Sequence, residues 1–217
     1  MPNQSKEVSI SCGTVRLQGL LTIPEGSQGI VLFAHGSGSG RFSPRNQFVA
    51  RELTNGKLAT LLMDLLTPEE EQVDEVTRHL RFDIPLLATR LGLVADWVKL
   101  QPATKELKIG YFGASTGAAA ALISAAEKPD SISAVVSRGG RPDLAGSSLP
   151  FVAAPTLLIV GGADFGVIEL NQGAFDQLSC EKKLEIVPGA THLFEEPGTL
   201  EQVAALALGW FKKYLKA

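Results

Sequence analysis

Continuous apolar runs, most of them separated by segments with helical spacing, constrain this chain more than any other feature. Gly29-Ile-Val-Leu-Phe-Ala34 is one such run and Leu58–Met63 another, and Leu107–Phe112, Ile132–Ser137, Thr156–Val160 and Leu184–Val187 are read as further strands. A strand without polar alternation is buried on both faces, as in parallel sheets covered by helices. Helices are predicted over Pro44–Asn55, Ile84–Lys99, Ser115–Glu127, Ile168–Leu178 and Leu200–Leu215. In the second of these, Leu87, Leu91, Val94, Ala95 and Val98 share one face. Gly56 stops the first. The chain opens differently: runs near Val8–Ser11 and Val15–Ile23, split by Gly13, predict a hairpin. The expected fold class is therefore α/β, with a mostly parallel sheet of about eight strands, an antiparallel start and flanking helices. No segment is long enough for a large lid domain and no composition shift marks a boundary. Residues 1–217 are read as a single α/β domain, large enough to bury a core without disulfides or a structural metal.

The net charge of −3 and the lack of any basic run argue against a nucleic-acid or anionic-membrane partner. Lys212, Lys213 and Lys216 complement the negative end of the last helix. No apolar run reaches the roughly 18 residues that a membrane span needs. Cys12 and Cys180 stand alone, outside any metal-binding or redox spacing. With an opening that does not read as a signal peptide, they predict a reducing, cytoplasmic setting. One stretch resists assignment. Asp64 to Arg81 carries Glu69, Glu70, Glu71, Asp74 and Glu75, and is read as a solvated loop or short helix leaving a strand end.

The chemistry centres on Gly113-Ala-Ser-Thr-Gly117, which fits G-x-S-x-G. A pentapeptide of this kind between a buried strand and an alanine-rich helix predicts a sharp, strained turn with Ser115 at its tip. The plainer alternative is a serine that only caps a helix. A serine hydroxyl is a weak nucleophile without a base. Of the chain's three histidines, His192 lies just after the last strand, where the base belongs in the order Ser, Asp, His. His79 falls in the acidic stretch, and His35 is read as a buried side chain bonding loop backbone. The acid expected after Thr156–Val160 is Asp164, whose role is to orient His192. Its plainer reading is a turn or cap aspartate. Asp143 precedes that strand and Asp176 lies within a helix, so both fit worse. For the oxyanion, the expected donors are the amides of Thr116 and of Ser37, in the loop His35-Gly-Ser-Gly-Ser-Gly40. That loop lacks the Lys-Ser/Thr ending of a P-loop and the G-x-G-x-x-G spacing of dinucleotide folds. No cofactor and no metal is predicted.

The segments HGSGSG, GYFGASTG, GGAD and GATHLFEEPG, in this order, resemble the α/β-hydrolase superfamily, and within it the dienelactone-hydrolase-like family. The resemblance runs from about Leu17 to the C-terminus. It extends to hydrolase domains that bacteria sometimes encode fused to phosphoribosyltransferases, although no phosphoribosyltransferase segment is present here. The resemblance implies an α/β-hydrolase fold and a cofactor-free hydrolase. The namesake enzymes carry cysteine where this chain has Ser115, which favours general ester hydrolysis over dienelactone. They also hold a substrate carboxylate with arginines; Arg41, Arg138 and Arg141 fall near strand ends here and are read as surface residues. The expected function is a serine hydrolase cleaving small-acyl carboxylic esters through an acyl-enzyme, with a small-molecule ester as partner. A dienelactone-type lactone hydrolase and a non-catalytic ligand-binding protein on the same fold are the alternatives.

Overall fold

The computed structural model describes residues 4–216. β1 (Lys6–Cys12) and β2 (Val15–Thr22) form the expected hairpin around Gly13, whose φ of +61° suits a residue without Cβ. Then come β3 (Ile30–Ala34), α1 (Pro44–Asn55), β4 (Ala59–Met63), α2 (Pro68–Thr77), α3 (Ile84–Leu100), β5 (Ile109–Ala114), α4 (Thr116–Glu127) and β6 (Ile132–Arg138). A 3-10 segment over Pro142–Phe151 leads to β7 (Thr156–Gly161), α5 (Phe165–Gln177), β8 (Lys182–Val187) and α6 (Thr199–Tyr214). The strands join one eight-stranded sheet in the order β1-β2-β4-β3-β5-β6-β7-β8. β2 pairs antiparallel with both neighbours, and β3 through β8 run parallel.

β3, β4, β5 and β7 are buried at every residue, which is why they read as unbroken apolar runs. One face of the sheet packs Leu87 and Leu91 of α3 and Ala119–Leu122 of α4 around Tyr111. The other packs Val49 and Leu53 of α1 and Val203, Ala207 and Phe211 of α6 around Phe33 and Phe112.

One open reading is resolved and one element is new. Half of the irregular acidic stretch is helical: α2 starts with Pro68 at N1, and Thr67 and Glu70 form a reciprocal capping box. The Pro142–Phe151 segment is a kinked 3-10 helix where the sequence suggests no element. No helix among the described residues is long and apolar enough to cross a membrane. The strand order reverses direction at β3, with β4 on one side and β5 on the other. In open α/β sheets, the crevice beyond the strand ends at such a point takes the ligand.

Candidate active site

Both loops at that switch point carry predicted residues. β5 ends at Ala114 and α4 begins at Thr116, so Ser115 alone makes the turn, with φ 51° and ψ −122°. A non-glycine residue at such angles is strained by about 1–3 kcal/mol and persists only where its surroundings hold it. They do. Ser115 N–H donates to Arg138 O at 3.3 Å, while Ser115 O accepts from Ala118 N at 3.1 Å and Arg141 N at 3.0 Å. Its side chain caps none of the amides of α4. The packing also explains Gly117: a Cβ there would meet Ala34 O at 2.2 Å and His35 O at 2.5 Å. Helix α4 thus lies directly against the end of β3, which brings the Gly36–Ser37 backbone to the turn.

Asp164 stands at the residue before α5, yet its side chain caps none of that helix's amides. Its Oδ2 lies 2.7 Å from His192 Nδ1 instead. The β7 and β8 loops are locked together by Gly162 N–H to Val187 O at 2.8 Å and Ala163 N–H to Ala190 O at 2.9 Å. His192 also adjoins the end of β6, because a Cβ on Gly139 would lie 3.0 Å from His192 O and 3.6 Å from its Nδ1. Ser115 and His192 therefore flank the same Arg138–Gly139 turn. Among the described residues no hydrogen bond joins Ser115 Oγ to the imidazole; such contacts often tighten only with substrate bound.

The sequence did not single out what shapes the His192 loop. Glu196 accepts from Thr191 N at 3.1 Å and from Thr191 Oγ1 at 2.6 Å, closing the loop around His192. The Thr191 hydroxyl holds the Glu196 carboxyl below its usual range. Phe194, buried at φ 57°, anchors the loop from beneath. The available signal was the acid five residues after Thr191.

On the other side of the switch point, Ser37 N–H donates to Thr116 Oγ1 at 3.1 Å. His35 is buried and bonds backbone, as expected. Its Nε2 accepts from Leu65 N–H at 3.0 Å, so its proton sits on Nδ1, 2.9 Å from Gly36 O. Burial lowers its pKa. Beyond this loop lies a cavity of about 810 Å³ between Gly36–Arg45 and the acidic stretch. Arg41 pairs with Asp64 and Arg81 with Asp74, all four lining the cavity. Glu71, also on the wall, is pushed up by partial burial and by Asp64 and Glu75. The acidic stretch thus forms a cavity wall, and Ser115 is outside the lining. A groove of about 730 Å³ between β8 and α6 holds none of the predicted residues.

The remaining candidates scatter. His79 is exposed and bonds Thr77, Asp143 pairs with Arg141, and Asp176 accepts from Gln172 on α5. Arg138 corrects the surface reading of the arginines. It is only 7% exposed, its Nε and Nη1 have no hydrogen-bond partner, and burial, with Arg45 nearby, lowers its pKa to about 10. The cause is strand parity: Arg138 follows Ala134 and Val136 onto the face covered by α1 and α6. No cluster of His, Cys, Asp and Glu suited to a metal occurs among the described residues.

Comparison with known proteins agrees with this architecture. The chain is 58% identical over 214 residues to a Mycobacterium tuberculosis protein provisionally named a phosphoribosyl transferase, covering 99% of this chain and 47% of that one. The chain thus spans about half the length of the curated relatives it matches. A crystal structure of a dienelactone hydrolase from Anabaena variabilis superposes with a TM-score of 0.98 at 61% identity, covering 100% of both chains. An esterase from Pyrococcus furiosus shares the fold with a TM-score of 0.77 at 19% identity, covering 98% of this chain and 94% of that one. The dienelactone hydrolase family model matches residues 54–215, from the end of α1 through α6. A match of that extent, joined to a full-length structural relative, means that the chain belongs to the dienelactone hydrolase family and is an α/β-fold hydrolase.

Proposed function

We propose that the protein hydrolyses carboxylic esters of small acyl groups through a serine acyl-enzyme. The observation that carries this reading is the 2.7 Å Asp164–His192 contact beside a strained, non-capping Ser115. An aspartate on Nδ1 fixes the imidazole tautomer with Nε2 free to take a proton. Ser115 Oγ attacks the ester carbonyl, and its proton passes to His192 Nε2. The tetrahedral oxyanion is held by the Thr116 N–H at the N-terminus of α4, where the helix dipole favours negative charge. Collapse breaks the bond to the alkoxy group, which leaves with the proton from His192. Water, deprotonated by the same imidazole, then releases the carboxylic acid and regenerates Ser115.

No inserted segment of lid-domain size follows a strand among the described residues, which favours small acyl groups, and the charged cavity beside Ser37 supports a polar substrate arm. The serine in place of the namesakes' cysteine favours an unactivated ester over a dienelactone. A fluorophosphonate probe tests the nucleophile. The expected result is one adduct on Ser115 in the folded protein, blocked by Ser115→Ala. A folded protein that takes no label and turns over no p-nitrophenyl ester would falsify the proposal. A graded p-nitrophenyl series from acetate to octanoate tests the acyl size, and fastest turnover on the long chains would reverse it.

A further inference from the structure

The Ser37 amide, expected as the second oxyanion donor, already has an acceptor in Thr116 Oγ1. A threonine hydroxyl carries one proton and two lone pairs. Here a lone pair receives the Ser37 N–H, and among the described residues no acceptor takes the hydroxyl proton. Thr116 is 4% exposed, so bulk water has little access to that group. A buried donor left without a partner costs about 1–3 kcal/mol, and native structures rarely carry one without a use. This one sits at the first residue of α4, immediately after Ser115. It is on the same residue as the amide proposed above to hold the oxyanion.

We propose that the Thr116 hydroxyl is itself an oxyanion donor, and that the Ser37 amide works through it. Thr116 then supplies two hydrogen bonds to the tetrahedral oxygen, one from N–H and one from Oγ1–H. Ser37 N–H, donating to Oγ1 from behind, polarises the hydroxyl and makes it a stronger donor. No covalent bond changes at Thr116. Its proton stays on Oγ1, and only the hydrogen bond strengthens as the carbonyl oxygen gains charge. His35 supports the arrangement: its Nδ1–H holds Gly36 O at 2.9 Å and so fixes the peptide whose N–H belongs to Ser37. The inference rests on the ester-hydrolase reading above and assigns the hydroxyl a catalytic contact.

The opposed reading makes Thr116 Oγ1 a stand-in that occupies the Ser37 amide at rest and swings away when substrate arrives. The two readings differ in the sign of one experiment. Thr116→Val keeps the side-chain shape and removes the hydroxyl, whereas Thr116→Ser keeps the hydroxyl and removes the methyl. The assay is p-nitrophenyl acetate hydrolysis by the full chain, with melting temperature measured in parallel. Thr116→Val is expected to lower kcat about 10²-fold, in the range for loss of one oxyanion donor. KM stays within about twofold and the melting temperature barely moves. The inhibition constant of a trifluoromethyl ketone, which mimics the tetrahedral state, rises by the same factor as kcat/KM falls. Thr116→Ser is expected to recover kcat to within about threefold.

Wild-type or faster turnover in Thr116→Val overturns the proposal. So does an equal loss in both variants, which would assign the effect to the methyl group. Loss of kcat without weaker ketone binding also overturns it. If the unmodified protein neither takes a fluorophosphonate nor cleaves the ester, the ester-hydrolase reading fails first, in the wild type, and the donor role falls with it.

Discussion

The two loops that meet at the β3 switch point are built by opposite means. On the β5 side, the Ser115 turn is held by main-chain bonds and by helix α4 pressed against β3, with Gly117 filling no volume beyond its backbone. On the β4 side, the wall around Arg41, Asp64, Asp74 and Arg81 is held by ion pairs between long side chains. The first region cannot tolerate added volume, because the atoms in the way are carbonyls. The second yields to volume and is sensitive to charge. On the proposed mechanism, reaction geometry depends on backbone, and the environment of the proposed substrate arm depends on side chains that can change without disturbing it.

The largest expected effect is chemical. Ser115→Ala should lower ester turnover by about 10⁴- to 10⁶-fold with little change in melting temperature, and His192→Ala should be similarly severe. Asp164→Ala should cost less, on the order of 10⁴-fold. Steady-state assays decide this, and near-wild-type turnover in any of the three would remove that residue from the mechanism. The next prediction tests the contrast itself. Gly117→Ala should destabilise by about 3 kcal/mol, since its Cβ meets backbone. Gly40→Ala should cost about 1 kcal/mol or less, because its obstacle at 2.7 Å is the movable Asp64 carboxylate. Equal losses in chemical denaturation would erase the distinction between the two loops. On the charged side, Arg41→Met leaves Asp64 uncompensated. It should raise KM for an ester bearing an acyl-chain carboxylate about tenfold relative to the acetate ester, with kcat unchanged. A parallel change for both esters would detach this wall from the substrate.

The last effect concerns His35, between the two regions. Burial holds its pKa below 6.5 in the folded state. Above that pH both states are neutral there. As pH falls below it, the unfolded chain binds the proton first, so folding stability declines, by at most about 1.4 kcal/mol per pH unit. Thermal melts from pH 7.5 to 5 should show this slope in the wild type and a flatter one in His35→Gln. Parallel curves would assign the acid sensitivity elsewhere.

The two regions also differ in how much of them the sequence shows. Ser115 and Asp164 each follow a strand buried at every residue and His192 follows the edge strand β8, and strands with a fixed motif order are local signals. The acidic helix α2 gives no such signal. Asp74 is its buried residue, while Val73 and Val76 are exposed, so the apolar side chains trace no inward face. Its legible mark was the cap Thr67-Pro-Glu-Glu70. Arg138 was misread because a charge ending a strand suggests solvent, whereas parity turned it inward. The Ser37–Thr116 contact joins residues 79 apart in sequence, and nothing in either segment announces the other.

The tension at Ser115 resides in φ and ψ, so it is blind to the atom at the tip of the side chain. Oxygen and sulfur are equivalent to the main chain there, since serine and cysteine share the same Cβ and meet the same steric limits. The turn is in that sense a socket. With Ser115 as the proposed nucleophile, one substitution would exchange oxygen for sulfur, altering which electrophiles react while the surrounding bonds to Arg138 and Arg141 stay as they are. Such a socket makes reactivity an evolvable property separate from folding.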